Sequence, residues 1–288
     1  RGYYGFLAAD RAGVDYHLAH AETPVSTVCK HRIEQLAAIR RAQELFVLER
    51  WIEARREWRT ATRGMSPAQL RAAAKLAERR GWHDRAIFTL ARTGYWDDLE
   101  LRFPLQHADL VKANADRHGI DIAWVFAVMR QESAFMSNAR SHAGAMGLMQ
   151  LMPATAREVA KNVLKTPPPR RKDLFEPDTN IALGSAYLKQ MKGELGDSSV
   201  LATAAYNAGP HRVTRWLPKR TIPADIWIEL VPFKETRGYL RRVLAYTVIY
   251  EKRMGMQPTR LQKRLHPVPP NISMISNSPL DPQLGSAG

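Results

Sequence analysis

The sequence predicts a mainly α-helical protein, and two observations support this fold class. Long stretches carry helix-forming residues without Pro or Gly, as in residues 40–63, which are rich in Arg, Glu, Ala and Trp. Helix start and stop signals also alternate along the chain. A strong strand signal is absent outside residues 141–151, where at most a small hairpin or irregular loop is expected.

The first hundred residues carry these helix signals in order. Ser66-Pro67-Ala68-Gln69 has the form of a capping box with Pro at the first helical position, and Gly81 supplies a stop. Asp84 begins a shorter helix that Gly94 closes. The tryptophans of this half are expected to pack between helices rather than to stack on bases, and they are Trp51, Trp58, Trp82 and Trp96.

The second half is predicted to contain four marked helices. One begins at Asp121 and is apolar up to Met129, and another is capped by Asp178 and runs to about Leu195. Residues 201–206 form a buried helix that ends at Asn207-Ala208-Gly209-Pro210. The last long helix runs from about Glu235 to Met254 and has an apolar face.

The character of the chain changes near Arg102-Phe103-Pro104-Leu105, and we place a domain boundary there. Residues 1–102 form the first predicted domain and residues 103–260 the second. Residues 261–288 are predicted to be an extended or disordered tail, because the chain becomes rich in Pro, Ser and Asn after His266.

Composition limits the classes of partner. The chain has 288 residues, 45% of them hydrophobic, and no apolar run reaches membrane-spanning length. Its net charge of +15 favours polyanionic partners, such as nucleic acid, an anionic membrane surface or an acidic cell-wall polymer. Cys29 is the only cysteine, so neither an internal disulfide nor a cysteine metal cluster can form. We predict no metal site and no cofactor.

Glu132 is the candidate catalytic residue that the local sequence indicates. It ends the apolar stretch Ile122–Met129, and Val125, Val128 and Met129 lie on its helix face. Burial against such a face disfavours the charged carboxylate and raises the pKa, as a general acid requires near neutral pH. The structural alternative is a helix-end glutamate that pairs with Arg130, and position alone does not choose between the two.

Three motifs occur together in this chain: Gln131-Glu132-Ser133, Gly147-Leu148-Met149-Gln150 and Ala205-Tyr206-Asn207-Ala208-Gly209. With Glu235-Thr236-Arg237-Gly238-Tyr239 behind them, the chain resembles the catalytic domain of soluble lytic transglycosylases over roughly residues 103–260. The resemblance implies a lysozyme-like catalytic domain, similar to goose-type lysozyme, preceded by an α-helical superhelix and linker segment.

The resemblance also implies roles for individual residues. Glu132 matches the catalytic acid and base. The residues that match the substrate-binding groove are Ser141, Gln150, Met152, Tyr206, Asn207 and Glu229. Four of these have a local alternative: Tyr206 as a core tyrosine, Gln150 as a side chain that completes its own loop, Asn207 as a helix end and Glu229 as a surface acid. Tyr206 is expected to hold Glu132 or the substrate's N-acetyl group by a hydrogen bond.

The implied reaction uses a single carboxyl group. After Glu132 the next acid in the chain is Glu158, so the second carboxylate of an ordinary glycosidase is missing from the following loop. In the family that the chain resembles, the glutamate protonates the glycosidic oxygen between N-acetylmuramic acid and N-acetylglucosamine. It then removes the proton of the muramic 6-hydroxyl, which closes a 1,6-anhydro ring. The implied partner is the peptidoglycan glycan strand, and the implied location is the periplasm, with the signal peptide absent from this chain.

Three other functions remain open at this point. The first is a hydrolytic lysozyme-type muramidase, which requires a second carboxylate to activate water. The second, from a different class, is a basic helical nucleic-acid-binding protein, suggested by the charge of +15. The third is a catalytically inert protein that binds the cell wall.

Overall fold

A computed structural model describes residues 1–271 and confirms the mainly α-helical fold class. The first part contains α1 (Tyr3–Ala12), α2 (Thr27–Gln35), α3 (Ala37–Val47), α4 (Trp51–Ala61), α5 (Pro67–Arg79), α6 (His83–Ala91) and α7 (Leu99–Arg102). The rest of the described chain contains α8 (Ala108–His118), α9 (Ile122–Glu132), α10 (Pro153–Val159), α11 (Pro177–Glu194), α12 (Ser199–Ala208), α13 (Pro210–Trp216), α14 (Ala224–Leu230), α15 (Lys234–Arg253) and α16 (Leu261–Arg264). A π-helical turn (Ala160–Leu164) and a 3-10 turn (Arg171–Phe175) lie between α10 and α11.

Extended structure within residues 1–271 is limited to isolated bridges. Arg140 pairs with Met146, Met146 with Leu151, and Ile222 with Val268. The irregular loop predicted for residues 141–151 is therefore confirmed. None of the helices in this described range is both long and apolar enough to cross a membrane.

Most helix signals are confirmed, with two corrections. The capping box is formed, because the Ser66 hydroxyl accepts from the Gln69 amide while the Gln69 side chain accepts from the Ser66 amide. Residues 40–63 are divided between α3 and α4, since Glu49 adopts a left-handed conformation at φ 57°. Asp178 lies in the first turn of α11 and is not its cap, because Pro177 already occupies the first helical position.

Helices α2 to α6 (residues 27–91), which we call the linker module, pack around their own core. Trp58 and Trp82 are each 2% exposed and meet edge to face at 5.2 Å between ring centroids. The predicted packing role is confirmed for both. It is wrong for Trp96, which is half exposed because it lies in the segment between α6 and α7 and has the guanidinium of Arg102 stacked over its ring.

The larger core is organised around α9. All residues from Ala123 to Met129 are buried, and the helix packs along α15. The Trp124 indole donates to the Thr203 hydroxyl at 3.0 Å, which joins α9 to α12. Tyr3 and Phe6 of α1 are buried in this same core. The first helix therefore packs with the predicted second domain, although it belongs to residues 1–102.

The residues that follow α15 are docked against the body. Leu261 and Val268 have no exposed surface, and the Leu261 amide donates to the Tyr16 hydroxyl at 2.7 Å. The prediction of an extended or disordered tail is therefore wrong for residues 261–271. Two buried apolar side chains outweigh the polar composition of this segment. The prediction for residues 272–288 lies outside the described residues.

The loop that carries the Gly147-Leu148-Met149-Gln150 motif is fixed by Asn180 of α11. The fully buried Asn180 side chain accepts from the Met149 amide at 2.7 Å and donates to the carbonyls of Met146 and Leu174. Gly147 approaches this anchor so closely that a Cβ atom would lie 2.1 Å from the Leu174 carbonyl oxygen. Its φ of +80° also disfavours any other residue.

Gly147→Ala is expected to lower the free energy of unfolding by more than about 2 kcal/mol, because backbone strain and overlap with the Leu174 carbonyl add together. Gly196→Ala is the matched control, since Gly196 has φ +66° but open space around its Cβ position. We expect it to lose only about 1 kcal/mol. Urea unfolding of both variants measures the difference, and equal losses would refute the close approach at Gly147.

Candidate active site

Glu132 is the last residue of α9. The helix begins where the Asp121 side chain accepts from the Ala123 amide at 2.8 Å, and residues 123–130 are all buried. After Glu132 the backbone turns sharply, with Ala134 at φ 51° and Phe135 at φ 67°. The apolar helix therefore delivers the Glu132 carboxyl to the point where the chain leaves the core.

The Glu132 carboxyl is held by Tyr239 of α15. The Tyr239 hydroxyl donates to Glu132 Oε1 at 2.6 Å, and Tyr239 itself is buried. Burial raises the pKa of Glu132 from 4.5 to about 7, while the Tyr239 hydrogen bond opposes this shift and the charge of Glu235 adds to it. Glu132 keeps partial contact with solvent, yet its carboxyl is surrounded by protein atoms. The group can therefore carry a proton near neutral pH.

Tyr206 makes a different hydrogen bond from the one expected. Its hydroxyl donates to the Met149 carbonyl at 2.8 Å, so the expected bond to Glu132 is formed by Tyr239 instead. Tyr206 nevertheless lies close enough for the charge of Glu132 to raise its pKa, in addition to the larger effect of burial. The ring meets Tyr187 at 5.3 Å. Tyr206 thus fixes the Met149 loop beside the carboxyl group.

A cavity of about 600 Å³ opens beside Glu132. One wall comes from the segment between α6 and α7 and from α6 itself, including Phe88 and Trp96, and the opposite wall comes from α15. Of the predicted substrate-binding residues, Gln150 lines this cavity with Glu132. The other five are outside its wall, and these are Ser141, Met152, Tyr206, Asn207 and Glu229.

Gln150 and Ser141 are both engaged within their loop. The Gln150 amide nitrogen donates to the carbonyls of Gly147 at 2.8 Å and Ala139 at 3.2 Å, and its backbone is left-handed at φ 48°. Only its Oε1 atom remains for a ligand. The Ser141 hydroxyl accepts from the Ala145 amide at 3.0 Å. The local alternative that the sequence left open for Gln150 therefore describes contacts that its side chain makes.

Met152 and Asn207 have contrasting surroundings. Met152 is 42% exposed and precedes α10, which leaves its side chain available to a ligand. Asn207 accepts from the Thr236 hydroxyl at 2.7 Å and thereby joins the end of α12 to the start of α15. That bond orders the turn of α15 that precedes Tyr239.

Glu229 lies on the far side of α15 from Glu132. Its carboxylate pairs with Arg241 and accepts from the Tyr4 hydroxyl at 3.0 Å, which ties it to α1. The acid whose charge acts on Glu132 is Glu235, one helical turn before Tyr239. Sequence reasoning missed this pair, although the spacing of four residues between Glu235 and Tyr239 places both on one helix face.

The cavity wall is strongly basic. Four arginines line it without an ion-pair partner among the described residues, and these are Arg102, Arg130, Arg140 and Arg242. Arg130 instead donates to the Arg102 carbonyl at 2.7 Å and stacks over Phe103 and Tyr246. Glu132 is the only carboxylate that the described part of the chain contributes to this wall. The cavity therefore suits an anionic ligand.

Groups of three or more His, Cys, Asp or Glu side chains placed to hold a metal ion do not occur within residues 1–271. The protonated Glu132 carboxyl, with the Tyr239 hydroxyl as its hydrogen-bond donor, is suited to proton transfer.

Comparisons with known proteins agree with the motifs. Residues 109–226 match the transglycosylase SLT domain and residues 32–99 match the soluble lytic murein transglycosylase L domain. Residues 230–258, which include all of α15, match the soluble lytic transglycosylase helical domain. The soluble lytic murein transglycosylase of Escherichia coli K12 is 35% identical over 261 residues, which are 90% of this chain and 40% of that protein. The relative from Salmonella typhimurium is 36% identical over 89% of this chain.

Solved structures show the same relationship. An inactive mutant of the lytic transglycosylase Slt from Pseudomonas aeruginosa superposes with a TM-score of 0.85 at 44% identity, over 89% of this chain and 42% of that one. The 70 kDa soluble lytic transglycosylase from Escherichia coli superposes with a TM-score of 0.83 at 34% identity, over 92% of this chain. This chain thus spans about 40% of the length of the relatives that it matches.

The raised pKa of Glu132 makes the stability of the fold depend on pH. The folded state retains this proton up to about pH 7, whereas the unfolded chain loses it near 4.5, so the free energy of unfolding falls as pH rises between these values. Glu132→Gln removes this dependence. At pH 8 we expect the variant to be more stable than the wild type by up to about 3 kcal/mol, and at pH 4 the two should be similar.

Denaturant unfolding of the wild type and Glu132→Gln at pH 4, 6 and 8 measures this difference. A constant difference across the three pH values would show that the Glu132 carboxyl is solvated, and would contradict the buried site.

Proposed function

Since this chain is homologous to the soluble lytic murein transglycosylases along about 90% of its length, we propose that it is a peptidoglycan lytic transglycosylase. The bond cleaved is the β-1,4 link between N-acetylmuramic acid and N-acetylglucosamine, and the product ends in 1,6-anhydromuramic acid. The observation that carries the proposal is the buried Glu132 carboxyl, protonated near neutrality and held by Tyr239 at the edge of a basic cavity.

In the first step Glu132 donates its proton to the glycosidic oxygen as the bond from that oxygen to C1 of muramic acid breaks. The substrate's own N-acetyl group supports the positive charge that develops at C1. The burial of the Glu132 carboxyl raises its pKa to about 7. The group is therefore protonated near neutral pH and can act as the acid in this step.

In the second step the Glu132 carboxylate takes the proton of the muramic 6-hydroxyl, and O6 bonds to C1 to close the anhydro ring. Glu132 is then protonated again, and no water is consumed. Between the steps the carboxylate is stabilised by the hydroxyl of Tyr239, which already donates to Oε1. One carboxyl group thus serves as acid and then as base.

The charge of the protein fits this substrate. Peptidoglycan is an acidic glycan-peptide polymer, the chain carries +15, and the four arginines of the cavity wall form no ion pair within residues 1–271. We place the protein in the periplasm, where this polymer lies. A nucleic-acid-binding role gains no support from Trp58 and Trp82, because both are buried in the linker module.

Hydrolysis is the second candidate, and Glu235 is the observation in its favour. No acid follows Glu132 in the sequence before Glu158. The fold nevertheless places Glu235 of α15 where its charge acts on Glu132. Glu235 is exposed, as a carboxylate that activates water would need to be. The anhydro product is lighter than the hydrolytic product by one water, so product mass separates the two reactions.

We expect purified sacculi treated with the wild type to release anhydromuropeptides, as read by mass spectrometry. Glu132→Gln should keep the fold and lose activity by roughly 10²-fold or more, since the carboxyl group serves in both proton transfers. Glu235→Gln should leave the anhydro mass unchanged. Products carrying the added water that disappear in Glu235→Gln would instead establish the hydrolytic reaction.

Tyr239→Phe is expected to lower kcat by about tenfold, because the Glu132 carboxylate loses its hydrogen-bond donor. The same loss raises the pKa of Glu132, so the fall in activity at high pH should move to higher pH. Tyr250→Phe is the matched control, since this buried hydroxyl of α15 donates to the Pro104 carbonyl and not to the site. A pH-rate profile of Tyr239→Phe that matches the control would contradict the role of Tyr239.

A further inference from the structure

The turn that follows Glu132 is held in a strained conformation. Ala134 and Phe135 are consecutive non-glycine residues in the left-handed region, with φ 51° and 67°. Each such residue destabilises the fold, so the conformation persists only where the surroundings fix it. Both residues are buried, at 2% and 5% exposure. The contacts that fix this turn therefore bear on the position of Glu132.

Part of the turn is fixed from within the larger core. The Ser133 hydroxyl accepts from the Phe135 amide at 3.1 Å and donates to the Met129 carbonyl at 3.3 Å. The ring of Phe135 packs against Phe126 of α9, with centroids 6.4 Å apart. On its other side it meets His83 of the linker module edge to face at 6.3 Å. The turn is thus enclosed between α9 and the linker module.

A hydrogen bond from the linker module reaches the end of this turn. Arg55 of α4 donates from one terminal guanidinium nitrogen to Oδ1 of Asn138. The guanidinium is oriented by Asp84 of α6, whose buried carboxylate lies 3.6 Å from Arg55 Nε. Asp84 is itself held by Arg85 at 3.0 Å. Arg55 therefore presents a fixed donor to a residue 83 positions away.

Asn138 precedes Ala139, whose carbonyl connects the turn after Glu132 to the loop that carries Gln150. The carbonyl of Ala139 accepts from the Gly147 amide at 2.9 Å and from the Gln150 side chain at 3.2 Å. The Ala139 amide donates back to the Met136 carbonyl at 3.1 Å. Glu132 and Gln150 both line the cavity, and Ala139 lies in the chain segment that connects them.

Packing alone does not explain the connection. A second cavity, of about 120 Å³, lies between the linker module and residues 135–138, and Arg55, His83 and Gln106 contribute to its wall. Three buried polar atoms lack a hydrogen-bond partner in that wall: Arg55 Nε, His83 Nδ1 and Gln106 Oε1. Apolar packing between the linker module and residues 135–138 is therefore incomplete, and the hydrogen bond from Arg55 to Asn138 joins the two.

We propose that Arg55 is a positioning residue for catalysis. Through Asn138 the linker module fixes the turn after Glu132 and the loop of Gln150 at the spacing that the reaction requires. This inference rests on the proposed function and deepens it: residues 27–91 are part of the catalytic apparatus and not only a connection to it. A displacement of about 1 Å in such a site is enough to lower the rate substantially.

The test compares Arg55→Ala, Asn138→Ala and the double variant in anhydromuropeptide release at a temperature where all are folded. We expect each single variant to lower kcat by about tenfold with KM within about twofold, because the reacting groups shift while the ligand-binding wall remains. The double variant should match the single variants, since one interaction is removed in each case. Asn138→Asp keeps the acceptor and should retain activity near the wild-type level.

Arg59→Ala is the matched control, because Arg59 is an exposed arginine on the same helix. A second measurement, independent of activity, is amide hydrogen exchange in residues 133–139 and 147–150. Exchange there should accelerate in Arg55→Ala and stay at the wild-type rate in Arg59→Ala.

Two results would overturn the proposal: unchanged kcat and exchange in folded Arg55→Ala, or losses that add in the double variant. If the wild type releases no anhydro product, the proposed function fails by itself. The hydrogen-exchange comparison then still decides whether Arg55 fixes the turn.

Discussion

The structure depends on one constraint, the burial of a single carboxyl group where α9 meets α15. Eight consecutive buried residues of α9 place Glu132 at the edge of the core, and Tyr239 of α15 supplies the hydrogen bond that its carboxylate requires. The pKa near 7 follows from this arrangement, because desolvation outweighs the hydrogen bond. Helices α12 and α15 and the Met149 loop complete the surroundings of the Glu132 carboxyl.

The remaining parts divide into anchors and a basic wall. Asn180 and Tyr206 hold the Met149 loop by hydrogen bonds to its backbone, and Arg55 reaches the adjoining turn from the linker module. The arginines around the cavity form no ion pair among the described residues, and their positive charge attracts a negatively charged polymer. The proposed function thus combines catalysis by one carboxyl group and attraction of an acidic substrate in one cavity.

Sequence predicted the helices from local patterns, namely capping residues and apolar faces. Glu132 required the three family motifs in addition, because its apolar helix face alone left a structural role open. Sequence did not predict Tyr239, Asn180 or Arg55, because each acts on a residue far away in the chain, between 31 and 107 positions apart. The family resemblance indicates Glu229, and Glu235 is not among the site residues that the sequence indicates. Both acids lie near α15, and only the packing of that helix on α9 determines which one affects Glu132.

The ionisation of Glu132 is the quantity on which the whole account depends. Carbon-13 NMR titration of glutamate-labelled protein, with Glu132→Gln used to assign the signal, measures it without reference to activity. The account predicts a carboxyl signal that titrates with a midpoint near 7 and is missing from the variant. A midpoint at the ordinary glutamate value of about 4.3 would contradict it, because the carboxyl group would then be ionised at neutral pH and unable to act first as an acid.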